Sequence, residues 1–212
     1  MRIAVIGAGG RTGIETTRLA VERGLEVIAV VRDAERYQRR HPGPPPAEVR
    51  IAEARDPVAL GRAIDGVDAV IMCVGPVKGE EPTILAEAAA SLIESMAAAE
   101  VRRLVMVTAS GWIVDGDDPL SRYLAKPILA RALRSENTAF EAAERAVASS
   151  TLAWTIVRPP MLTDGPRRGA YRSRRDGNVR WRYSIRRADL AVALLDVLDD
   201  ETAVRRRISV AT

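Results

Sequence analysis

Cysteine, histidine and phenylalanine each occur once in this chain, at Cys73, His41 and Phe140. One cysteine excludes an intrachain disulfide framework and leaves too few thiolates for a cysteine-based metal site, so no metal is expected. Aromatic residues make up only 4% of the 212, and a core must therefore come from Ala, Val, Leu and Ile, which the 47% hydrophobic fraction supplies. No apolar run approaches the roughly 18 residues of a membrane-spanning helix. The first apolar run, Ile3 to Ile6, is short and ends in glycines, unlike a signal peptide, and the expected compartment is the cytoplasm. Acidic residues are scarce in one place: between Arg167 and Arg187 nine arginines face a single acid, Asp176. No nucleic-acid motif stands beside this run. With Tyr171, Trp181 and Tyr183 as its few aromatics, it reads as a solvated arginine-rich hairpin rather than a nucleic-acid surface.

What the chain does contain is a glycine turn near its start. Ile3 to Ile6 reads as a buried parallel strand, and Gly7-Ala-Gly9-Gly10-Arg11-Thr12-Gly13 follows at once. Arg11 to Arg23 reads as a helix with Ile14, Leu19 and Val21 as its apolar positions and Gly24 as its stop. A helix opened by glycines points its unpaired N–H groups and the positive end of its dipole at the turn, which attracts phosphate. The spacing is Gly-x-x-Gly-x-x-Gly rather than the G-x-G-x-x-G fingerprint. Its weight comes from the strand–turn–helix–strand context.

Beyond Gly24 the elements alternate. Strands are expected at Leu25–Val31, Val49–Glu53, Ala69–Val74, Leu104–Ala109, Ala153–Val157 and Arg207–Val210. Helices are expected at Asp33–Tyr37, from Asp56-Pro57 onward with Asp as N-cap, and at Pro82–Ala99, Pro127–Leu133 and Thr138–Ala148. A last, amphipathic helix is expected at Ile185–Leu198. Asp176-Gly177-Asn178 signals a hairpin within Ala170–Tyr183, and His41 to Pro46 a stiff loop in which His41 has no evident partner. This alternation argues for an α/β fold: one Rossmann-like domain over residues 1–212, a doubly wound parallel sheet with small C-terminal pocket elements.

Ligands bind such sheets at the C-terminal ends of the strands. The first strand end carries Gly7, Gly10, Arg11, Thr12 and Gly13, with a hydroxyl and a charge available to phosphate. The second carries Arg32, with Arg36 one turn on. An acid there would accept from ribose hydroxyls, whereas an arginine favours a 2′-phosphate. The third carries Glu53 and Ala54, a carboxylate that can accept from an adenine amino group. The fourth carries Cys73, Val74 and Gly75, where glycine lets the backbone pass close to a ribose; Cys73 itself reads as a small core residue.

Taken together, Gly7 to Gly13, Val31-Arg32-Asp33, Gly66 to Ile71, Val107 to Ser110, Trp154 to Pro160 and Leu162 to Gly165 resemble the atypical short-chain dehydrogenase/reductase superfamily. The nearest groups are the NmrA-like NAD(P)H-binding proteins and the flavin reductase/biliverdin reductase B type. The resemblance implies NADP(H), preferred over NAD(H). It places phosphate contacts on Gly10, Arg11, Thr12 and Gly13, 2′-phosphate contacts on Arg32 and Arg36, and adenine contacts on Glu53 and Ala54. Contacts around the nicotinamide half fall on Gly75, Ser110, Pro160 and Met161. In the reductase branch it implies hydride delivery to a small electron acceptor such as a flavin, a quinone or a linear tetrapyrrole. The superfamily's acid/base couple is Tyr-x-x-x-Lys. This chain has Ser110 followed by Tyr123-Leu-Ala-Lys126, one residue short, and Pro127 disfavours helix at Lys126. Met161 stands where biliverdin reductase B-like proteins often have His. Chemistry needing little acid/base help from the protein is therefore expected, with Tyr171, Trp181 and Tyr183 of the hairpin bordering an acceptor pocket. The other reading is a non-catalytic NADP(H)-binding redox sensor of the NmrA-like kind.

Overall fold

The computed structural model describes residues 1–75, 83–111 and 134–212. Tyr123, Lys126 and the expected helix at Pro127–Leu133 lie outside these residues. The strands are β1 (Arg2–Ile6), β2 (Glu26–Val31), β3 (Glu48–Ile51), β4 (Ala69–Met72), β5 (Arg103–Val107), β6 (Ala153–Arg158), β7 (Met161–Thr163), β8 (Arg172–Arg175), β9 (Ser184–Arg186) and β10 (Arg206–Ala211). The helices are α1 (Arg11–Glu22), α2 (Ala34–Arg40), α3 (Pro57–Ala63), α4 (Ile84–Ala98), α5 (Arg134–Ser149) and α6 (Arg187–Leu198). Asp33 caps α2 through its carboxylate, and Asp56 caps α3 by accepting from Val58 and Ala59 N–H.

Eight strands form one sheet in the order β3-β2-β1-β4-β5-β6-β10-β8. All neighbours are parallel except β10 and β8, which are antiparallel. The doubly wound expectation holds, and the strand order reverses between β1 and β4. Both faces are covered, so the strands are apolar on both sides. In β1, Ile3 and Val5 face the layer built from α1 and α6, while Ala4 and Ile6 face the layer of α3, α4 and α5.

Two expectations about the C-terminal region need correction. The arginine-rich segment is not a self-paired hairpin: β8 pairs with β10, Ile208 opposite Arg175 and Ala211 opposite Arg172. The turn at Asp176 forms, but the chain beyond it turns again at Trp181, φ +59°, instead of returning as a strand beside β8. The last helix begins at Arg187 rather than Ile185, and it is not amphipathic. From Ala188 to Leu198 every residue but Asp196 is buried, because α6 lies among α1, the sheet and β9. Ile185 belongs instead to β9, which pairs in parallel with β7.

Buried and half-buried polar groups tie these layers together. Arg103 donates to Leu198 and Ala153 carbonyls at 3.0 and 2.8 Å and to Thr155 Oγ1 at 2.9 Å, closing the C-terminal end of α6. Glu144 of α5 is 2% exposed and accepts from Thr108 Oγ1 at 2.8 Å, from Arg158 Nε at 2.9 Å and from Arg207 at 3.3 Å. This carboxylate joins α5 to the ends of β5 and β6. Glu144→Ala takes this carboxylate away from the buried Arg158 and from Thr108 and Arg207, and is expected to cost about 3–5 kcal/mol in a denaturant melt; a cost under about 1 kcal/mol contradicts the network's role. Gly13→Ala raises helix propensity, yet its Cβ would lie 2.2 Å from Gly7 O and 2.7 Å from Ala8 Cα. The expected outcome is a loss of about 2 kcal/mol, read as a lower melting temperature, where propensity alone predicts a gain.

Candidate functional site

At the strand-order reversal the sheet opens into a cleft of about 520 Å³. The backbones of the glycine turn and of Cys73–Val74 meet there with no side chain between them. Gly7 has φ +78°, and a Cβ on it would stand 3.1 Å from the carbonyl carbon of Cys73 at the end of β4. Gly10 is the N-cap of α1 and supplies no side-chain cap, and the first turn of α1 carries no acid. Gly75 has open space where a side chain would be.

Ten of the residues singled out from sequence line this cleft: Gly7, Gly10, Arg11, Thr12, Arg32, Arg36, Glu53, Ala54, Val74 and Gly75. Gly13 does not. It is buried beneath the turn, where its missing side chain lets α1 start hard against β1. Ser110, Pro160 and Met161 do not line the cleft either. Ser110 is buried at the end of β5 and donates its N–H to Pro159 O at 2.8 Å, and Met161 is 66% exposed. The third strand stops at Ile51, so Glu53 and Ala54 sit in the loop beyond it.

Glu53 Oε1 is buried with no hydrogen-bond partner among the described residues, and it forms a 3.8 Å ion pair with Arg55 Nε. A buried acceptor facing a cleft carries a desolvation cost that a ligand donor would relieve. Asp33 follows Arg32 directly, yet its Oδ1 is taken by the N–H of Arg36 at 2.8 Å. The acid beside the two arginines is thus committed to capping α2.

Cys73 packs beside Thr16, with 3.8 Å between Sγ and Oγ1. Burial pushes its thiol up to about 12, outweighing the Thr16 contact. Burial likewise pushes the Tyr37 phenol up to about 12. His41, left without a partner by sequence, has two. Its ring stacks on Tyr37 at 5.1 Å with Nδ1 3.2 Å from the phenol, and Nε2 lies 2.9 Å from Pro44 O. The i,i+4 spacing of Tyr37 and His41 was the available signal.

Sequence reasoning missed Tyr37, Arg40, Leu162 and Arg187, all of which line the cleft. Leu162 and Arg187 arrive from the β7–β9 region by tertiary contact and carry no local pattern. Conversely, Tyr171, Trp181 and Tyr183 do not line the cleft. Tyr171 donates to Asp196 at 2.9 Å, beside the Arg23–Asp196 pair at the end of α1 away from the glycine turn.

A family model described as NAD(P)H-binding matches residues 7–201. The uncharacterized protein YwnB of Bacillus subtilis (strain 168) is 28% identical over 218 residues, covering 100% of this chain and 99% of its own. A short-chain dehydrogenase/reductase (wide type) from Veillonella parvula DSM 2008, solved in complex with NADP, superposes with a TM-score of 0.81 at 20% identity, over 100% of this chain and 94% of that one. ChuY, an anaerobillin reductase from Escherichia coli O157:H7, superposes with a TM-score of 0.75 at 23% identity, over 100% of this chain and 97% of its own. These two are likenesses of fold. With most of its length matched by the family model and its glycine turn at the reversal of a doubly wound sheet, the chain belongs to the NAD(P)H-binding family.

Proposed function

We propose that the cleft binds NADP(H) in preference to NAD(H), and that the protein is an NADPH-dependent reductase acting on a small planar acceptor. The observation that carries the nucleotide reading is the convergence on one cleft of a glycine-rich turn, Arg32 and Arg36, and a carboxylate oxygen that has no hydrogen bond among the described residues. Backbone N–H groups at the start of α1 and the Thr12 hydroxyl suit a pyrophosphate. Arg32 and Arg36 suit a 2′-phosphate, and Glu53 Oε1 suits the adenine amino group. Gly75 allows a ribose to approach the backbone.

A bound nicotinamide would supply the hydride; the protein's own part is to orient it and keep competing reactions away. Burial holds the Cys73 thiol well above its ordinary range, which disfavours the thiolate at neutral pH. Ser110, held by its backbone to Pro159, is the residue proposed to position the reacting groups. Fold neighbours named for an NADP complex and for a reductase activity support this reading.

Titration of the protein with NADPH and NADH tests the cofactor, and NADPH oxidation with FMN, quinones and linear tetrapyrroles tests the reaction. Arg32→Ala is expected to weaken NADPH by about 1.5–3 kcal/mol and NADH much less. Equal affinity of the parent protein for the two nucleotides overturns the 2′-phosphate assignment. Binding of NADPH without oxidation by any of these acceptors favours the redox-sensor reading instead. Iodoacetamide at neutral pH is expected to label Cys73 slowly in the folded protein, faster as pH rises, and fully in denaturant; rapid labelling of the folded protein contradicts the raised thiol.

A further inference from the structure

Asp164, in the turn after β7, holds two arginines at once. Its Oδ2 accepts from Arg11 Nη1 at 2.9 Å and its Oδ1 from Arg187 Nη1 at 2.6 Å. Arg11 is the first residue of α1 and Arg187 the first of α6, and both line the cleft. Asp164 itself stands outside the cleft. It lines an adjoining depression of about 220 Å³ that shares Arg11, Arg40 and Arg187 with it. Two guanidiniums from distant helices therefore converge on one anion at the border of the proposed phosphate site.

We propose that Asp164 is a displaceable latch: its carboxylate and the pyrophosphate of a dinucleotide compete for Arg11 and Arg187. The inference rests on the nucleotide-binding reading above and adds Arg187, unassigned until now, to the residues that hold the pyrophosphate. The two halves of the latch differ in strength. Arg11 and Asp164 are 61% and 64% exposed, so their pair is screened by solvent and easily exchanged. The Arg187 side chain is only 11% exposed, and a charge so buried is costly without a counter-ion. Asp164 provides that counter-ion in this arrangement. A pyrophosphate, with more charge and several oxygens, offers both guanidiniums a stronger partner.

The latch has a hinge and an anchor. Gly165 has φ +124°, a backbone that side-chain-bearing residues avoid. Beyond it, Pro166 O accepts from Arg186 at 2.6 Å, and Asp189 Oδ1 accepts from Arg168 and Gly169 N–H at 2.8 and 3.0 Å. Displacement therefore swings Asp164 while the rest of the segment stays docked on α6. Leu162, two residues earlier, lines the cleft, so nucleotide binding is felt by the strand that leads there.

The test compares two ligands by calorimetry on the full chain: NADPH, and 2′-AMP, which has the 2′-phosphate but no pyrophosphate. Asp164→Asn is expected to tighten NADPH about 2- to 5-fold, the worth of a surface ion pair, and to leave 2′-AMP unchanged. Arg187→Gln is expected to weaken NADPH about tenfold or more, again with 2′-AMP unchanged. If Arg187→Gln does not fold, the exposed Arg11→Gln carries the same expectation. Unchanged or weaker NADPH binding by Asp164→Asn overturns the latch, since Asp164 would then orient the arginines instead of competing for them. A parent protein that binds neither ligand overturns the nucleotide reading and the latch with it. A parent that binds both, with Asp164→Asn unchanged, overturns the latch alone.

Discussion

The approach of Gly13 to the carbonyl of Gly7 governs where the rest of the molecule lies. A single Cβ at Gly13 would come within 2.2 Å of that oxygen, so α1 can start against β1 only because the side chain is missing. This contact sets the N-terminus of α1 at the sheet's topological reversal, flanked by the ends of β2 and β4. Gly7 adds the second half of the constraint, because its own missing side chain lets the backbone of Cys73 come alongside. The cleft is thus built first from backbone, and its arginines and the Glu53 carboxylate are arranged around that backbone. Gly9, Gly10 and Gly75 put no side chain over the start of α1, which leaves the space a phosphate requires.

Local signals carried the N-terminal half. The apolar runs of β1, β2 and β4, the Asp56-Pro57 start of α3 and the glycine turn each have their cause within a few residues, and the structure has them within one or two positions of where the sequence puts them. The C-terminal half depends on pairing between distant segments. β8 joins β10, whose Ile208 and Val210 are buried, and the segment after Asp176 turns again at Trp181 instead of pairing with β8. The helix α6 reads as one-sided by sequence but is covered all round, since α1 and β9 close over the face that solvent would otherwise take. Leu162 and Arg187 reach the cleft through that same non-local packing. Arginine at position 187 is one of nine in its stretch, and nothing local separates it from its exposed neighbours.

Charge around the cleft is organised rather than merely positive. Arg11, Arg32, Arg36, Arg40 and Arg187 line it against Asp33 and Glu53. The Asp33 carboxylate is occupied by the α2 cap, and Glu53 keeps one oxygen without a hydrogen bond among the described residues. On the far side of the strand ends, Glu144 balances Arg158 and Arg207 beneath Thr108. That buried pairing holds the ends of β5 and β6 in register, and with them the backbone bond from Ser110 to Pro159. Cofactor wall and proposed reaction end are therefore carried by different interactions, the first by missing side chains and the second by a buried carboxylate.

Hydrogen exchange with and without NADPH is the most direct test of a nucleotide cleft at these strand ends. Slower exchange is expected in peptides covering Gly7 to Gly13, Arg32 to Arg36 and Cys73 to Gly75, with β8 and the Arg180 to Tyr183 stretch unchanged. Protection confined to the arginine-rich stretch, or none over Gly7 to Gly13 at saturating NADPH, would contradict it.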